Sequence, residues 1–267
     1  TDGFTVGSDG GHNQSSATYV AWQWKANGGT TASNSDGSIT STVQANTTAG
    51  FSIVKFTGTG SAATVGHGLG EIPVMIIQKN LDSSASWSVK HHKTSNNFDF
   101  LNLNSTAAAT ANDSIWTSTD PTTSVFSIGT ATAINQSSQE QICYCFAEKQ
   151  GYSRFSKYVG NGNTDGPYIY LGYRPSFILL KEIGNSNSWW MFDTARDPIN
   201  SADARFAANS SDAEATGSFT NVIDFLSNGF KLRNSDSAWN RDGGTYIFMS
   251  FAENPFVTST GVPTTAR

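Results

Sequence analysis

An internal repeat is the feature that most constrains the fold of this chain. One stretch runs from FSIVKFTGTG (51–60) through GHGLGEIPVMIIQK (66–79) to QICYCFAE (141–148). A second runs from YSRFSKYVGNG (152–162) through YLGYRPSFILLK (170–181) to YIFMSFAE (246–253). The matched landmarks keep one order, at an offset that drifts from 102 to 105 residues: Lys55 and Lys157, Gly58 and Gly160, Leu69 and Leu171, Pro73 and Pro175, Trp87 and Trp189, Asn104 and Asn209, and Phe146 and Phe251. The repeat predicts one structural unit built twice.

The N-terminus carries a partial third copy. The segments GFTVGSDGG and ATYVAWQWKA, within residues 3–26, have the form of GFKLRNSD and GTYIFMSFAE at the end of the second repeat. Only the last two strands of a unit are present, and these cannot form a core by themselves. Such a closing hairpin either follows a copy that lies outside this sequence or completes a neighbouring sheet.

The apolar pattern of both copies is typical of β-strands. The runs at 74–77 and 177–180 are continuously apolar, which favours central strands. The closing strands alternate, and we expect their large apolar side chains to face the core. These side chains are Ile247, Met249 and Phe251, with Ile142, Tyr144, Phe146, Val20, Trp22 and Trp24. We expect the opposite face to be half covered. It carries Ala21, Gln23, Cys143, Cys145, Phe248 and Ser250.

The predicted fold is therefore all-β, with two tandem antiparallel β-sandwich modules of a jelly-roll-like kind. Each module should hold about seven or eight strands, module 1 in residues 50–150 and module 2 in 151–256. A closing hairpin of a preceding module occupies 1–26. The segment 27–49 is rich in Gly, Ser, Thr and Asn and is interpreted as a linker, and 257–267 as a C-terminal tail.

Composition excludes several classes of function. The net charge is −5 and charged residues make up 14% of the chain, so no basic face for nucleic acid is predicted. No apolar run reaches 18 residues, and we expect no membrane insertion. The two cysteines, Cys143 and Cys145, stand at i and i+2 of one strand, a spacing poorly suited to a disulfide, and are expected to be free thiols.

Few residues offer reactive chemistry. His91 and His92 are adjacent, and neighbours in a strand face opposite ways, so a metal site is not expected; His67 lies in a Gly-His-Gly turn. A carboxylate pair at Asp193 and Asp197, with Arg196 between them in sequence, would suit glycosidase chemistry, but a salt-bridged loop is the commoner outcome. No nucleotide-binding, hydrolase or metalloprotease motif occurs. We predict a non-enzymatic protein with no catalytic residue, metal or cofactor.

Three tryptophans are the predicted surface binding residues. Trp116 and Trp239 lie in polar surroundings, Ser-Ile-Trp-Thr-Ser and Ser-Ala-Trp-Asn-Arg, and neither they nor Trp190 has a matching aromatic residue in the other copy. Exposed aromatic rings stack on sugars and anchor protein contacts. A contact with a neighbouring subunit or module explains them equally well.

Several strings together resemble a domain of unknown function in large structural proteins of marine and freshwater tailed phages, notably cyanophages. They are YVAWQWKANGG (19–29), the T-V-G-H-G-L-G run, F-D-T-A-R (192–196), I-D-F-L-S-N-G-F-K-L (223–232) and F-A-E-N-P-F (251–256). The resemblance covers about 3–256. It implies a virion location and the C-terminal part of a tail fibre or adhesin with a role in host attachment. It also implies partners among other virion proteins, a homotrimer and contact with a host surface glycan.

Three alternatives stay open from the sequence. The chain would also suit a capsid-decorating or head-fibre protein, or a carbohydrate-binding module of a secreted protein. A glycan depolymerase is the remaining possibility, and it would require the carboxylate of Asp193.

Overall fold

The computed structural model describes residues 3–27, 29–217 and 221–254, and it is almost entirely β. Its strands are β1 (Ala32–Asn34), β2 (Ser41–Asn46), β3 (Phe51–Thr57), β4 (Ala63–Gly66), β5 (Met75–Asn80), β6 (Ser88–His91), β7 (Asp99–Asn102), β8 (Thr110–Ala111), β9 (Val125–Ile128), β10 (Glu140–Phe146), β11 (Ser153–Val159), β12 (Tyr168–Tyr170), β13 (Pro175–Glu182), β14 (Trp190–Asp193), β15 (Phe206–Ala207), β16 (Ile223–Leu226), β17 (Gly229–Leu232) and β18 (Thr245–Ala252). Three four-residue helices are α1 (Gly10–Asn13), α2 (Thr132–Asn135) and α3 (Ser237–Asn240). In the described part of the chain no helix is long and apolar enough to span a bilayer.

Each module contains a large sheet and a small sheet, which confirms the predicted all-β sandwich fold. The large sheet of module 1 has the order β1-β2-β3-β10-β5-β6-β7-β8, and its small sheet is β4-β9. The large sheet of module 2 has the order β11-β18-β13-β14-β15, and its small sheet is β12-β17-β16. The closing strand lies centrally in both, β10 between β3 and β5, and β18 between β11 and β13.

A separate hydrophobic core fills each sandwich. In module 1, Val54 and Cys143 of the large sheet pack with Phe126 of the small sheet. In module 2, Phe248 of the large sheet packs with Phe230 of the small sheet. Burying one such aromatic side chain stabilises the fold by roughly 1.5–3 kcal/mol.

A central apolar layer joins the two modules, and it changes the predicted role of the closing strands. The alternation is as predicted, but Met249, Phe251 and Phe146 lie in this layer between the large sheets and not in the core of either sandwich. The opposite face, predicted to be half covered, is buried in both complete modules, where Cys143 is 0% and Phe248 is 1% exposed, and it is exposed at Ala21 and Gln23. Both faces are buried because each large sheet has a small sheet on one side and the other module on the other.

Two segments have a different local structure from the one predicted. The described residues 3–26 contain no strand, and in the complete modules β9–β10 and β17–β18 are arches, whose two strands lie in different sheets, and not hairpins. The predicted linker 27–49 contains β1 and β2, and β2 extends the large sheet by pairing with β3. Its alternation of buried Ser41 and Val43 with exposed Thr42 is strand-like despite the polar composition. The predicted tail 257–267 lies outside the described residues.

A buried asparagine closes each sandwich in the same way. Asn135 Oδ1 accepts the Thr59 amide at 2.8 Å, and Asn240 Oδ1 accepts the Asn161 amide at 2.8 Å. Both asparagines are 0% exposed, and a buried amide requires such partners. The chain approaches closely here, because a Cβ at Gly58 would lie 2.3 Å from the carbonyl oxygen of residue 136. The matched glycines of the repeat permit this contact.

Candidate functional site

The tryptophans predicted to be exposed are largely buried. Trp116 and Trp239 are 0% exposed, in the cores of module 1 and module 2, and Trp190 is half-buried with its ring 5.9 Å from that of Trp239. Their polar neighbours serve the backbone instead: Asp236 caps α3 by accepting the amide of Ala238 at 2.7 Å. Residues that cap a helix are polar, so the local sequence is polar although the tryptophan rings point inward. The prediction of an exposed surface at Trp116 and Trp239 is therefore wrong.

The charged cluster fastens the N-terminal segment to module 2. Asp193 Oδ2 accepts Arg196 Nε at 2.6 Å and Trp22 Nε1 at 3.2 Å, and its side chain is 5% exposed. Asp197 Oδ2 accepts the backbone amides of residues 203 and 204 at 2.8 and 3.1 Å. Because internal donors occupy both carboxylates, this geometry supports a structural ion pair and not an acid/base pair.

The histidines are structural as well. His91 Nε2 lies 3.4 Å from the carbonyl oxygen of Phe248, and His92 Nε2 lies 2.8 Å from that of Phe155, so both link module 1 to module 2. Burial lowers the pKa of His91 to about 3 and also lowers the pKa values of His92 and His67. Among the described residues no group of three or more His, Cys, Asp or Glu side chains is placed to hold a metal.

The two thiols are free and buried in the core of module 1. Burial raises the pKa of the Cys145 thiol to about 12. Burial also raises the pKa of the Cys143 thiol, and the charge of the neighbouring Cys145 raises it further. The thiolate is the nucleophilic form, so neither side chain is suited to covalent chemistry near neutral pH.

The open polar-aromatic surface of the molecule lies on the small sheet of module 2. Tyr168 and Tyr170 of β12 share the outer face, with exposed fractions of 44% and 62%, while Ile169 between them points into the core. Side chains at i and i+2 of a strand stand about 7 Å apart on one face. We call this surface the tyrosine platform: Tyr168, Tyr170 and the facing β17 residues Lys231 and Gly229.

Polar groups surround the two rings and fix one of them. The Tyr168 hydroxyl donates to Asn228 Oδ1 at 2.7 Å, which holds this ring in place. Lys231 Nζ binds Asp165 at 2.8 Å, and this hydrogen bond lowers the pKa of the exposed Asp165 carboxyl. Opposite Tyr170, Gly229 lies buried beside the Tyr168 ring, since a Cβ there would lie 3.1 Å from Tyr168 Cε2. The platform thus presents two aromatic rings bordered by donors and acceptors.

Module 1 has no such surface, because the same positions are covered. Ile169 pairs with Phe230 of β17 as Val65 pairs with Phe126 of β9, so the counterparts of Tyr168 and Tyr170 in module 1 are Thr64 and Gly66. A Cβ at Gly66 would lie 1.7 Å from Asn34 Oδ1, and the Thr64 hydroxyl accepts the Ser38 amide at 2.9 Å. The hairpin β1–β2 therefore lies over this face in module 1, while module 2 carries exposed tyrosines there. Sequence reasoning missed the platform, although the Tyr-Ile-Tyr alternation of β12 was a signal that module 1 lacks.

An apolar cleft of about 360 Å³ opens at the central layer. Trp22 and Trp24 of the N-terminal segment line one side, and Ile53, Trp87 and Tyr144 of module 1 line another. Val20, Trp22 and Trp24 were predicted to face a core, and of these Trp22 and Trp24 pack against the central layer.

These features define a class of protein: an all-β chain of two duplicated sandwich modules whose histidines, cysteines and paired carboxylates serve the fold. Within that class, the chain belongs to the family described as a domain of unknown function (DUF7483), whose model matches residues 1–255. No curated protein and no solved structure matches the chain.

Proposed function

We propose that this chain is the C-terminal part of a phage tail fibre or adhesin, a non-catalytic virion protein that attaches to a host surface polysaccharide through the tyrosine platform. The observation that carries the proposal is the divergence of the two modules at one place. Packing alone does not require exposed tyrosines at positions where the other copy has the covered residues Thr64 and Gly66. Other virion proteins and further copies in a homotrimer are its proposed partners.

The chemistry of the platform favours a sugar ligand. Tyrosine rings give a flat apolar face for the C–H surface of a pyranose, and their hydroxyls stay available to water and to sugar hydroxyls. Asn228, Lys231 and Asp165 surround the rings with hydrogen-bonding groups. The platform is open and shallow, which suits a long polymer lying across it more than a small molecule enclosed in a pocket.

The fate of the other candidate residues supports a non-catalytic role. The Asp193 carboxylate accepts hydrogen bonds from Arg196 and Trp22. The imidazoles of His91 and His92 bind backbone carbonyls of module 2, and the two thiols are buried. Their hydrogen-bonding capacity is used inside the fold. The residues that a depolymerase or a metal site would need therefore have structural roles, which argues against both alternatives.

The test is binding of the purified chain to an array of bacterial capsular and lipopolysaccharide glycans. Losing one well-placed ring should cost about 1–2 kcal/mol, so Tyr170→Ala should weaken binding to a positive glycan by roughly 5- to 30-fold. Tyr170→Phe keeps the ring at the same position and should retain most of the binding. Ile199→Ala removes an exposed apolar side chain (75% exposed) outside the platform and is the matched control.

Two outcomes would contradict the proposal: binding to no glycan on such an array, or binding that Tyr170→Ala leaves intact. Polysaccharide binding alone would also suit a secreted carbohydrate-binding module. Immunogold labelling of phage particles decides this point, since the tail-fibre proposal expects gold at the distal tail.

A further inference from the structure

The N-terminal segment 3–26 has the local structure of a complete module's closing arch. In module 2, the Tyr246 hydroxyl accepts the amide of Arg241 at 2.9 Å and donates to the carbonyl oxygen of Ser237 at 2.7 Å. The Tyr19 hydroxyl makes the same two bonds, with the residue 14 amide at 2.7 Å and the residue 10 carbonyl at 3.0 Å. Asp9 caps α1 as Asp236 caps α3. We call residues 3–26 the N-terminal arch.

The side chains of this arch are exposed where their counterparts are buried. Phe230, Leu232 and Tyr246 are 0% exposed in the core of module 2. Their counterparts Phe4, Val6 and Tyr19 are 62%, 41% and 52% exposed. An arch formed with the turns of a module, but with its core side chains in water, has the shape of one half of a sandwich.

The arch also occupies a third position around the central layer. Trp24, Phe146 and Phe251 hold equivalent places in the three closing segments. Their ring centroids are mutually close: 6.3 Å for Trp24 and Phe146, 5.5 Å for Trp24 and Phe251, and 6.2 Å for Phe146 and Phe251. Three equivalent segments thus meet around one point: the closing strands of the two complete modules and residues 19–25 of the arch.

The contacts between neighbours around this point repeat in one direction. His91 of module 1 contacts the closing strand of module 2 at Phe248. Its counterpart in module 2, Asp193, contacts the arch at Trp22. Module 1 therefore contacts the closing strand of module 2 in the same way as module 2 contacts the arch. The next contact in this cycle would be with the closing strand of module 1.

That remaining position is the apolar cleft. Phe155, Trp189 and Met249 of module 2 are buried against module 1, at 1%, 1% and 4% exposed. Their counterparts in module 1 are only half-buried, and all of them line the cleft: Ile53, Trp87 and Tyr144. Trp189 Nε1 donates to the carbonyl oxygen of Asn102 across the interface at 3.0 Å. The cleft of module 1 thus matches the surface that module 2 buries in the interface between the modules, but here no partner covers it.

We propose that the N-terminal arch and the apolar cleft together are the docking site for the opening half of a third module. That half corresponds to strands β11–β16 and is joined on the N-terminal side of Gly3, as β16 precedes Gly229. It would pair with residues 19–25 on both edges, bury Phe4, Val6 and Tyr19, and close the cleft against Trp87. The inference concerns assembly and does not depend on the proposed attachment function.

The test is an extended chain in which a copy of residues 151–228 replaces residues 1–2 and leads into Gly3. This junction reproduces the Asn228–Gly229 sequence of module 2. Amide hydrogen exchange is followed by mass spectrometry on peptides covering 17–26. In the 267-residue chain we expect fast exchange there, and in the extended chain a slowing of at least about 100-fold. Fluorescence of a dye that binds exposed apolar surface should fall in parallel.

Phe4→Ser is the matched variant. It should leave the melting temperature of the 267-residue chain unchanged, because Phe4 is exposed there, and should abolish most of the new protection in the extended chain. A second extended chain carrying residues 50–124 provides the opening half of module 1. If neither added half slows exchange at 17–26, the proposal is overturned. It is also overturned if the unmodified chain protects 17–26 on concentration, since a second copy would then fill the cleft.

Discussion

Three equivalent asparagines, two buried and one exposed, allow the contribution of one repeated set of hydrogen bonds to stability to be measured with the same substitution. Asn240 accepts the Asn161 amide and donates to the carbonyl oxygens of Asn163 and Asn234, at 2.8, 2.8 and 3.0 Å. Asn135 makes the same kind of set, with an amide at 2.8 Å and two carbonyls at 2.7 and 2.9 Å. Each buried hydrogen bond contributes about 1 kcal/mol net, so Asn135→Ala and Asn240→Ala should each cost about 3 kcal/mol.

Asn13 holds the third equivalent position and is the internal control. It donates to the carbonyl oxygen of Gly7 at 2.8 Å in an exposed setting, so Asn13→Ala should change stability by less than about 0.5 kcal/mol. The assay is urea unfolding followed by circular dichroism and tryptophan fluorescence, with the free energy extrapolated to water. Equal losses at all three positions, or a loss below about 1 kcal/mol at Asn135 or Asn240, would refute the reasoning.

Further predictions concern the central layer, the thiols and pH. Trp24→Ala removes ring contacts with Phe146 and Phe251 and should lower stability by about 2 kcal/mol, measured as a reduced melting temperature. Cys143 and Cys145 should react with a thiol reagent only after denaturation, so fast labelling of the folded chain would contradict their burial. Burial lowers the pKa of His91 to about 3 from 6.5, so the unfolded chain takes up the proton first as pH falls. Stability should therefore be undiminished above about pH 6.5 and fall by up to about 1.4 kcal/mol per pH unit between 6.5 and 3, a slope that His91→Gln should flatten.

The repeat made much of the fold predictable. Two local features occur in both copies and could be recognised in the sequence. They are the glycines that allow close backbone approach, such as Gly58 and Gly160, and the alternating pattern of the closing strands. The direction of the core was not predictable in this way. A strand with large apolar residues on one face and mixed residues on the other was assigned one core, whereas here both faces are buried by different neighbours.

The candidate site failed for a related reason. Polar neighbours of Trp116 and Trp239 were interpreted as a sign of exposure, but their polar groups cap helix α3 and close a turn, and local composition does not distinguish these uses from solvation. The exposed rings, Tyr168 and Tyr170, follow instead from comparing the two copies position by position. What the sequence did not show is that β1–β2 covers module 1 at Gly66 and leaves module 2 open.

The central claim is that module 2 exposes a recognition surface which module 1 covers. Tyrosine nitration tests this claim most directly, when it is mapped by mass spectrometry with and without a polysaccharide that binds the chain. We expect Tyr168 and Tyr170 to be nitrated in the free protein and protected in the complex. Tyr19 is 52% exposed and belongs to the N-terminal arch, outside the platform, and it should be nitrated in both states. Polysaccharide binding that leaves Tyr168 and Tyr170 as reactive as before would contradict the claim.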